Sequence, residues 1–196
     1  LADQAIEALW PESDPAAGRN RLRTVLGRLR EVAPDVVARD GDLLVLARDV
    51  HVDLTEFQRE AREARALAAG DVRAAVAVAR SAIARYRGDL LPDDMYEDWA
   101  DGPREHTRRP MLDLLDLCAS AAAEQGDLDD ARRMVERTIE LAPHDDDRYL
   151  RVAEILREQG RRGAALSVTR RARSTLAALG VPLPRELQEF EQSLVA

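Results

Sequence analysis

Three glycines divide the C-terminal two-thirds of this 196-residue chain into segments that superpose. The segments are GDVRAAVAVARSAI from Gly70, GDLDDARRMVERTI from Gly126 and GRRGAALSVTRRAR from Gly160. Five residues after each glycine stands an alanine (Ala75, Ala131, Ala165), and twelve after it a short side chain (Ala82, Thr138, Ala172). Seven residues ahead of the last two glycines come Ala119 and Ala153. Small side chains at fixed intervals let two helices cross closely, so the pattern predicts a series of packed helical hairpins.

Gly126 and Gly160 are 34 residues apart, the tetratricopeptide period, and Pro143 falls where that repeat ends. The interval from Gly70 to Gly126 exceeds one period by 22 residues. The excess, GDLLPDDMYEDWADGPREHTRRPM (88–111), is too polar for a core and too aromatic for a free linker. It reads as an ordered insertion docked through Leu90, Leu91, Met95, Tyr96 and Trp99, with Trp99 supplying most of the anchoring area.

Composition excludes more than it assigns. An apolar fraction of 45% with 34% charged residues suits a folded protein, and abundant Ala, Leu and Arg favour helices over sheets. All 29 basic residues are arginine, so neither a phosphate-loop lysine nor a Schiff-base lysine is available. No cofactor motif is present, and an enzyme is not the expected class. The single cysteine, Cys118, lies in the apolar run MLDLLDLCASAAA and reads as a buried thiol. The acids of 88–111 lack calcium-loop spacing, so no metal is expected there. In HDDD (144–147) the aspartates read as caps for the helix that follows. No apolar run approaches the roughly 20 residues that span a bilayer. No signal segment opens the chain, which makes the cytoplasm the expected location. The chain begins at Leu1 instead of Met, so an upstream segment is expected.

The N-terminal quarter has a different pattern. ADQAIEALW predicts a short helix stopped by Pro11, and PESDP a turn in which Asp14 caps a second helix with Pro15 at its first position. That helix, about 15–32, places Leu22, Val25, Leu26 and Leu29 on one expected buried face. Opposite them lie Asn20, Thr24, Gly27 and Glu31, flanked by Arg23 and Arg28. Asparagine can pair with adenine and arginine with guanine in the major groove, so Asn20, Arg23, Thr24 and Gly27 are base-reading candidates. Arg19, Arg21, Arg28 and Arg30 are phosphate candidates. Two apolar runs, 36–39 and 43–47, enclose Asp40-Gly41 and predict a β-hairpin, which brings Arg39 and Arg48 beside the same groove. Helix, turn, basic helix and hairpin follow the order of the second half of a winged helix.

ALWPESDP, the arginine-rich helix ending GRLRE, and YRGDLLPDDMYEDW together resemble the Streptomyces antibiotic regulatory protein (SARP) type of activator. The resemblance covers nearly the whole chain, and RGDLLPD followed by Tyr96 and DW is its most specific part. It implies a mainly α fold. Residues 1–52 would be the C-terminal part of an OmpR-like winged helix-turn-helix whose β-hairpin is the wing. Residues 53–196 would be a bacterial transcriptional activator domain of tetratricopeptide-like hairpins. Family members carry an N-terminal sheet and a first helix ahead of ALWPE, where this sequence begins. The implied function is activation of transcription, with promoter double-stranded DNA and RNA polymerase as partners, a homodimer as the bound form, and no membrane. The alternative is a tetratricopeptide-type adaptor that binds a protein in its groove without specific DNA recognition.

Overall fold

The computed structural model describes residues 1–47, 49–94 and 96–195. Arg48 and Met95 lie outside the described residues, so the phosphate role expected of one and the docking role expected of the other have no structural counterpart here. From residue 53 onward the described chain is helical. Three antiparallel hairpins pair α3 (Asp53–Leu67) with α4 (Val72–Arg85), α5 (Asp98–Glu124) with α6 (Leu128–Leu141), and α7 (Asp146–Glu158) with α8 (Arg162–Ala178). A last helix, α9 (Arg185–Val195), lays Leu187, Phe190 and Leu194 on the third hairpin, where Arg157 stacks 4.7 Å from the Phe190 ring centre.

The repeat positions do what their size requires. Ala75, Ala82, Ala131, Thr138, Ala165, Ala172, Ala119 and Ala153 are all fully buried. Thr138 fits among alanines because its hydroxyl turns back on its own helix, donating to the Val135 carbonyl at 2.7 Å. Gly126 and Gly160 adopt left-handed φ values of 76° and 72°, and the next amide reaches five residues back: Asp127 N–H to Ala122 O, and Arg161 N–H to Leu156 O. Gly70 does not adopt that conformation. Its turn closes one residue tighter, with Asp71 N–H on Leu67 O, so the buried alanine of that hairpin is Ala64, six residues ahead of the glycine.

The 22-residue excess is partly helix. At 27 residues α5 is 14 longer than the 13-residue α7, and the connection 86–97 is eight longer than its counterpart 142–145. Residues 98–111, with Pro103 and Pro110, are therefore the front half of a continuous α5. The connection is not docked as its aromatics suggested. Tyr96 is 94% exposed, Leu91 is exposed at a left-handed φ of 53°, and Leu90 and Trp99 are only half-buried. Buried Arg104 does the docking, donating to the carbonyls of Leu90 (2.9 Å), Leu91 (3.0 Å) and Asp94 (2.5 Å). A connection without a ladder of its own leaves its carbonyls needing donors, and a guanidinium supplies several at once. Nearby, burial and then the Asp89 carboxylate push Tyr86 up to about 12. Burial pushes the Asp89 carboxyl up, but hydrogen bonds from Arg108 and Tyr86 outweigh it and hold the group below its ordinary range.

One further expectation is corrected at α7. Asp145 stands at the N-cap, yet its carboxylate accepts from Arg148 Nε at 2.6 Å and from no backbone amide of the first turn. Cys118 is fully buried, and burial pushes its thiol up. Among the described residues no helix is long and apolar enough to cross a membrane.

Candidate nucleic-acid interface

Residues 1–47 form α1 (Ala2–Leu9), α2 (Pro15–Val32) and the antiparallel pair β1 (Val37–Asp40) and β2 (Leu43–Leu46). The helix bounds follow from local chemistry. Asp14 Oδ2 accepts from the amides of Ala16 (3.0 Å) and Ala17 (3.2 Å), and Pro15 occupies the first turn. Gly18 lets α2 approach α1, since a methyl there would overlap Ile6 Cγ2. In the hairpin Asp40 pairs with Leu43, so the two-residue turn is Gly41-Asp42 and not Asp40-Gly41. Gly41 takes a φ of 59° at the first turn position, where a II′-type turn places its glycine. The Ala2 amide donates to Asp42 O at 2.8 Å and ties the start of α1 to this turn.

Successive residues advance about 100° around α2. Leu22 is buried and Leu26 and Leu29 are half-buried, but Val25, expected on the same face, is 44% exposed. Between α1, α2 and the hairpin lies a cavity of about 430 Å³. Ile6, Leu22, Leu26 and Leu44 form its apolar wall, and Arg19, Arg23, Arg30 and Arg39 surround it together with Asp3 and Asp42. Four of the sequence's candidates thus converge on one side of α2. Asn20, Thr24, Gly27, Arg21 and Arg28 lie outside that cavity, and all five are exposed.

The candidates also bond to one another. Arg23 Nη1 donates to Asn20 Oδ1 at 2.8 Å, and Thr24 Oγ1 to the Asn20 carbonyl at 3.0 Å. Arg21 Nη1 donates to Ser13 Oγ at 2.7 Å, which fixes it against the turn before the helix. Arg39 Nε donates to Gly41 O at 2.8 Å and stands 3.8 Å from Asp42. Arg19, Arg28 and Arg30 make no hydrogen bond or ion pair among the described residues. Ser13 and Val25 are the members of this surface that sequence reasoning missed. Ser13 sits directly before the cap residue, a position from which its hydroxyl can reach the first turns. Val25 carried no such signal, because its spacing alone placed it in the core.

The arginines from residue 53 onward are used differently. Apart from Arg39 with Asp42, every ion pair among the described residues joins side chains of that region. Arg80 and Arg133 close on the nearly buried Asp130, and Arg85 on the buried Glu60. Within α2 five arginines face a single acid, Glu31.

A stack of tetratricopeptide-like hairpins behind a helix and hairpin with unpaired cations defines a helical-repeat protein carrying a candidate polyanion surface. The sequence profile of the bacterial transcriptional activator domain matches residues 52–195, and the chain belongs to that family. This is the domain that the resemblance implied for the C-terminal part of the chain. Among solved structures the chain is similar to Mycobacterium tuberculosis EmbR, determined in complex with a low-affinity phosphopeptide. The identity is 21% and the TM-score 0.68, over 99% of this chain and 54% of EmbR. The chain therefore spans about half the length of that relative. It is also similar to the C-terminal TPR-containing domain of a Plasmodium falciparum FK506-binding protein. There the identity is 9% and the TM-score 0.50, over 74% of this chain and 91% of that one. No curated protein sequence matches the chain.

Proposed function

We propose that this protein is a sequence-specific DNA-binding activator in the cytoplasm that engages promoter repeats as a homodimer and contacts RNA polymerase through its helical domain. The observation that supports it is the contrast just described: twelve of the 22 arginines from residue 53 onward enter ion pairs among the described residues, whereas none of the five of α2 does. In this reading α2 lies in the major groove. Asn20, Thr24 and Gly27 face the bases, and Arg23 reaches in beside Asn20, whose side-chain Oδ1 orients it. Arg19, Arg21, Arg28, Arg30 and Arg39 meet phosphates, with Arg48 added from the sequence alone.

The test is selection of duplexes from a random pool by the full-length protein at physiological salt. A repeated motif is expected, with affinity that falls steeply as salt rises because bound phosphates release counterions. Asn20→Ala or Arg23→Ala shifts the preferred sequence at a cost of about 1–3 kcal/mol on the original site. Arg19→Ala or Arg30→Ala weakens all sequences alike. Equal losses on every duplex for all four variants would defeat the division into readers and positioners.

The adaptor reading has one observation of its own. A groove of about 360 Å³ runs between α3 and α5, with Ala61, Pro110, Leu114 and Leu117 as apolar wall and Arg62 and His106 at its edge. A folded full-length protein that selects no motif would leave that groove as the working surface.

A further inference from the structure

A cavity of about 410 Å³ lies at the open end of the first hairpin, between the start of α3, the end of α4 and the connection 86–97. Leu54, Phe57, Tyr86, Leu90, Leu91 and Pro92 give it an apolar lining, in which the buried rings of Phe57 and Tyr86 stand 5.6 Å apart and tilted by 55°. The volume lies in the range that takes a small organic ligand. Arg104 binds the carbonyls of Leu90 and Leu91, so the wall formed by the connection is set by bonds to α5 and needs no occupant to shape it.

The polar groups of this cavity are unequally used. Both of its acids are engaged: Asp89 accepts from Arg108 Nη2 at 2.7 Å and from Tyr86 Oη at 2.9 Å, and Asp53 accepts from the Leu54 amide at 2.7 Å. Its donors are largely open. Arg85 is bonded through Nε to Glu60 at 3.0 Å, and its terminal nitrogens have no hydrogen bond among the described residues. Arg87 has neither hydrogen bond nor ion pair among them, and the amides of residues 87–91 donate to no oxygen there. Consecutive open amides beside guanidinium groups favour an anion, and an aromatic lining favours a flat ring. We infer that this cavity is a binding site for a small aromatic carboxylate. Its ring would pack among Leu54, Phe57 and Leu90, and its carboxylate would meet Arg85, Arg87 and the amides of the connection. No residue of α2 lines the cavity, so the site stands or falls apart from DNA recognition.

The experiment titrates naphthoate, and naphthamide as its uncharged counterpart, into the isotope-labelled full-length protein at physiological salt and follows the amide resonances. Saturable shifts of Leu54 and of residues 87–91 are expected with naphthoate. Naphthamide is expected to bind about three- to tenfold more weakly, because it lacks the charge. Arg87→Gln is expected to weaken naphthoate about three- to fivefold, as loss of an ion pair at an exposed rim does, and to leave naphthamide unchanged. Leu54→Trp, which fills the cavity, is expected to abolish binding of both. Arg87 is exposed and makes no bond among the described residues, so its variant tests the site even if Leu54→Trp does not fold. Shifts confined to other residues, or none that saturate, would overturn the site. Equal binding of the two probes, or naphthoate binding undiminished by Arg87→Gln, would overturn the assignment of an anion.

Discussion

Arg104 shows how much one side chain can organise. It is 8% exposed, and its guanidinium donates to three backbone carbonyls of the connection between the first two hairpins while pairing with Asp101 at 3.1 Å. Replacing it by methionine keeps most of the aliphatic stem and removes every donor. Carbonyls that lose a charged donor forfeit its hydrogen bonds, so Arg104→Met should lower stability by about 1.5–3 kcal/mol in urea unfolding. The same variant should be cleaved faster within 86–97 by a protease at limiting concentration, because the carbonyls that hold the connection to α5 are no longer bonded. Unchanged stability and cleavage would show that the connection is held by its side chains instead. The sequence did not reveal this role: Arg104 stands among other charged residues in PREHTRR, and nothing in that pattern separates a buried arginine from a solvated one. The aromatic residues drew attention because large apolar area is the commoner anchor. Here unpaired backbone oxygens set the requirement.

At the scale of elements, the repeat was legible because close helix crossing tolerates only small side chains, and a size constraint is written directly into residue identity. The turns were less legible. Gly70, Gly126 and Gly160 are equivalent in sequence, but only the last two are left-handed. Gly126→Ala and Gly160→Ala should each cost about 1–2 kcal/mol in thermal unfolding, since an L-residue is strained there. Gly70→Ala should be neutral or slightly stabilising, because a methyl at Gly70 meets nothing within 4 Å and alanine restricts the unfolded chain. Equal losses at all three sites would mean that Gly70 needs the same backbone freedom as the others. The front half of α5 was illegible for a related reason. Proline usually ends a helix, yet Pro103 and Pro110 sit inside one whose far end is packed through Met111, Leu114, Leu115 and Cys118. Tertiary packing offsets about 3 kcal/mol of local cost per proline. On α2 the periodicity correctly placed Leu22 in the core and misplaced Val25, because spacing defines a face but not how far that face is covered.

Across the whole molecule, the cores of the successive hairpins are joined. One cluster spans α3, α4 and α5, another runs from α5 to α9, and Met134 packs against both. Between the first two hairpins Arg80 reaches Asp130, which is 7% exposed and also bonded by Arg133 at 2.9 Å. The Arg80 bond foremost, opposed by burial and reinforced by Arg133, holds the Asp130 carboxyl below its ordinary range. A carboxyl lowered in the folded state contributes stability that is complete above its unfolded pKa, about 3.9, and lost as pH falls through the folded value. Arg80→Gln should therefore cost about 1–2 kcal/mol at pH 7, with the deficit shrinking as pH drops below about 4. Denaturant unfolding at pH 7 and pH 3 measures both values, and a deficit of the same size at both would assign the loss to packing rather than to the ion pair.

The unequal use of arginine has a consequence for encounters in solution. From residue 53 onward acids outnumber arginines, and the chain carries a net charge of −8. A polyanion meeting the protein at random therefore finds mostly repulsion, whereas the cations of α2 become attractive only within about 8–10 Å at physiological salt. On the proposed reading, collisions in the wrong orientation would be turned away and those led by α2 retained. The ion pairs of the hairpins would then supply internal cohesion while the cations of α2 stay uncompensated, so that residence on a duplex would favour one approach.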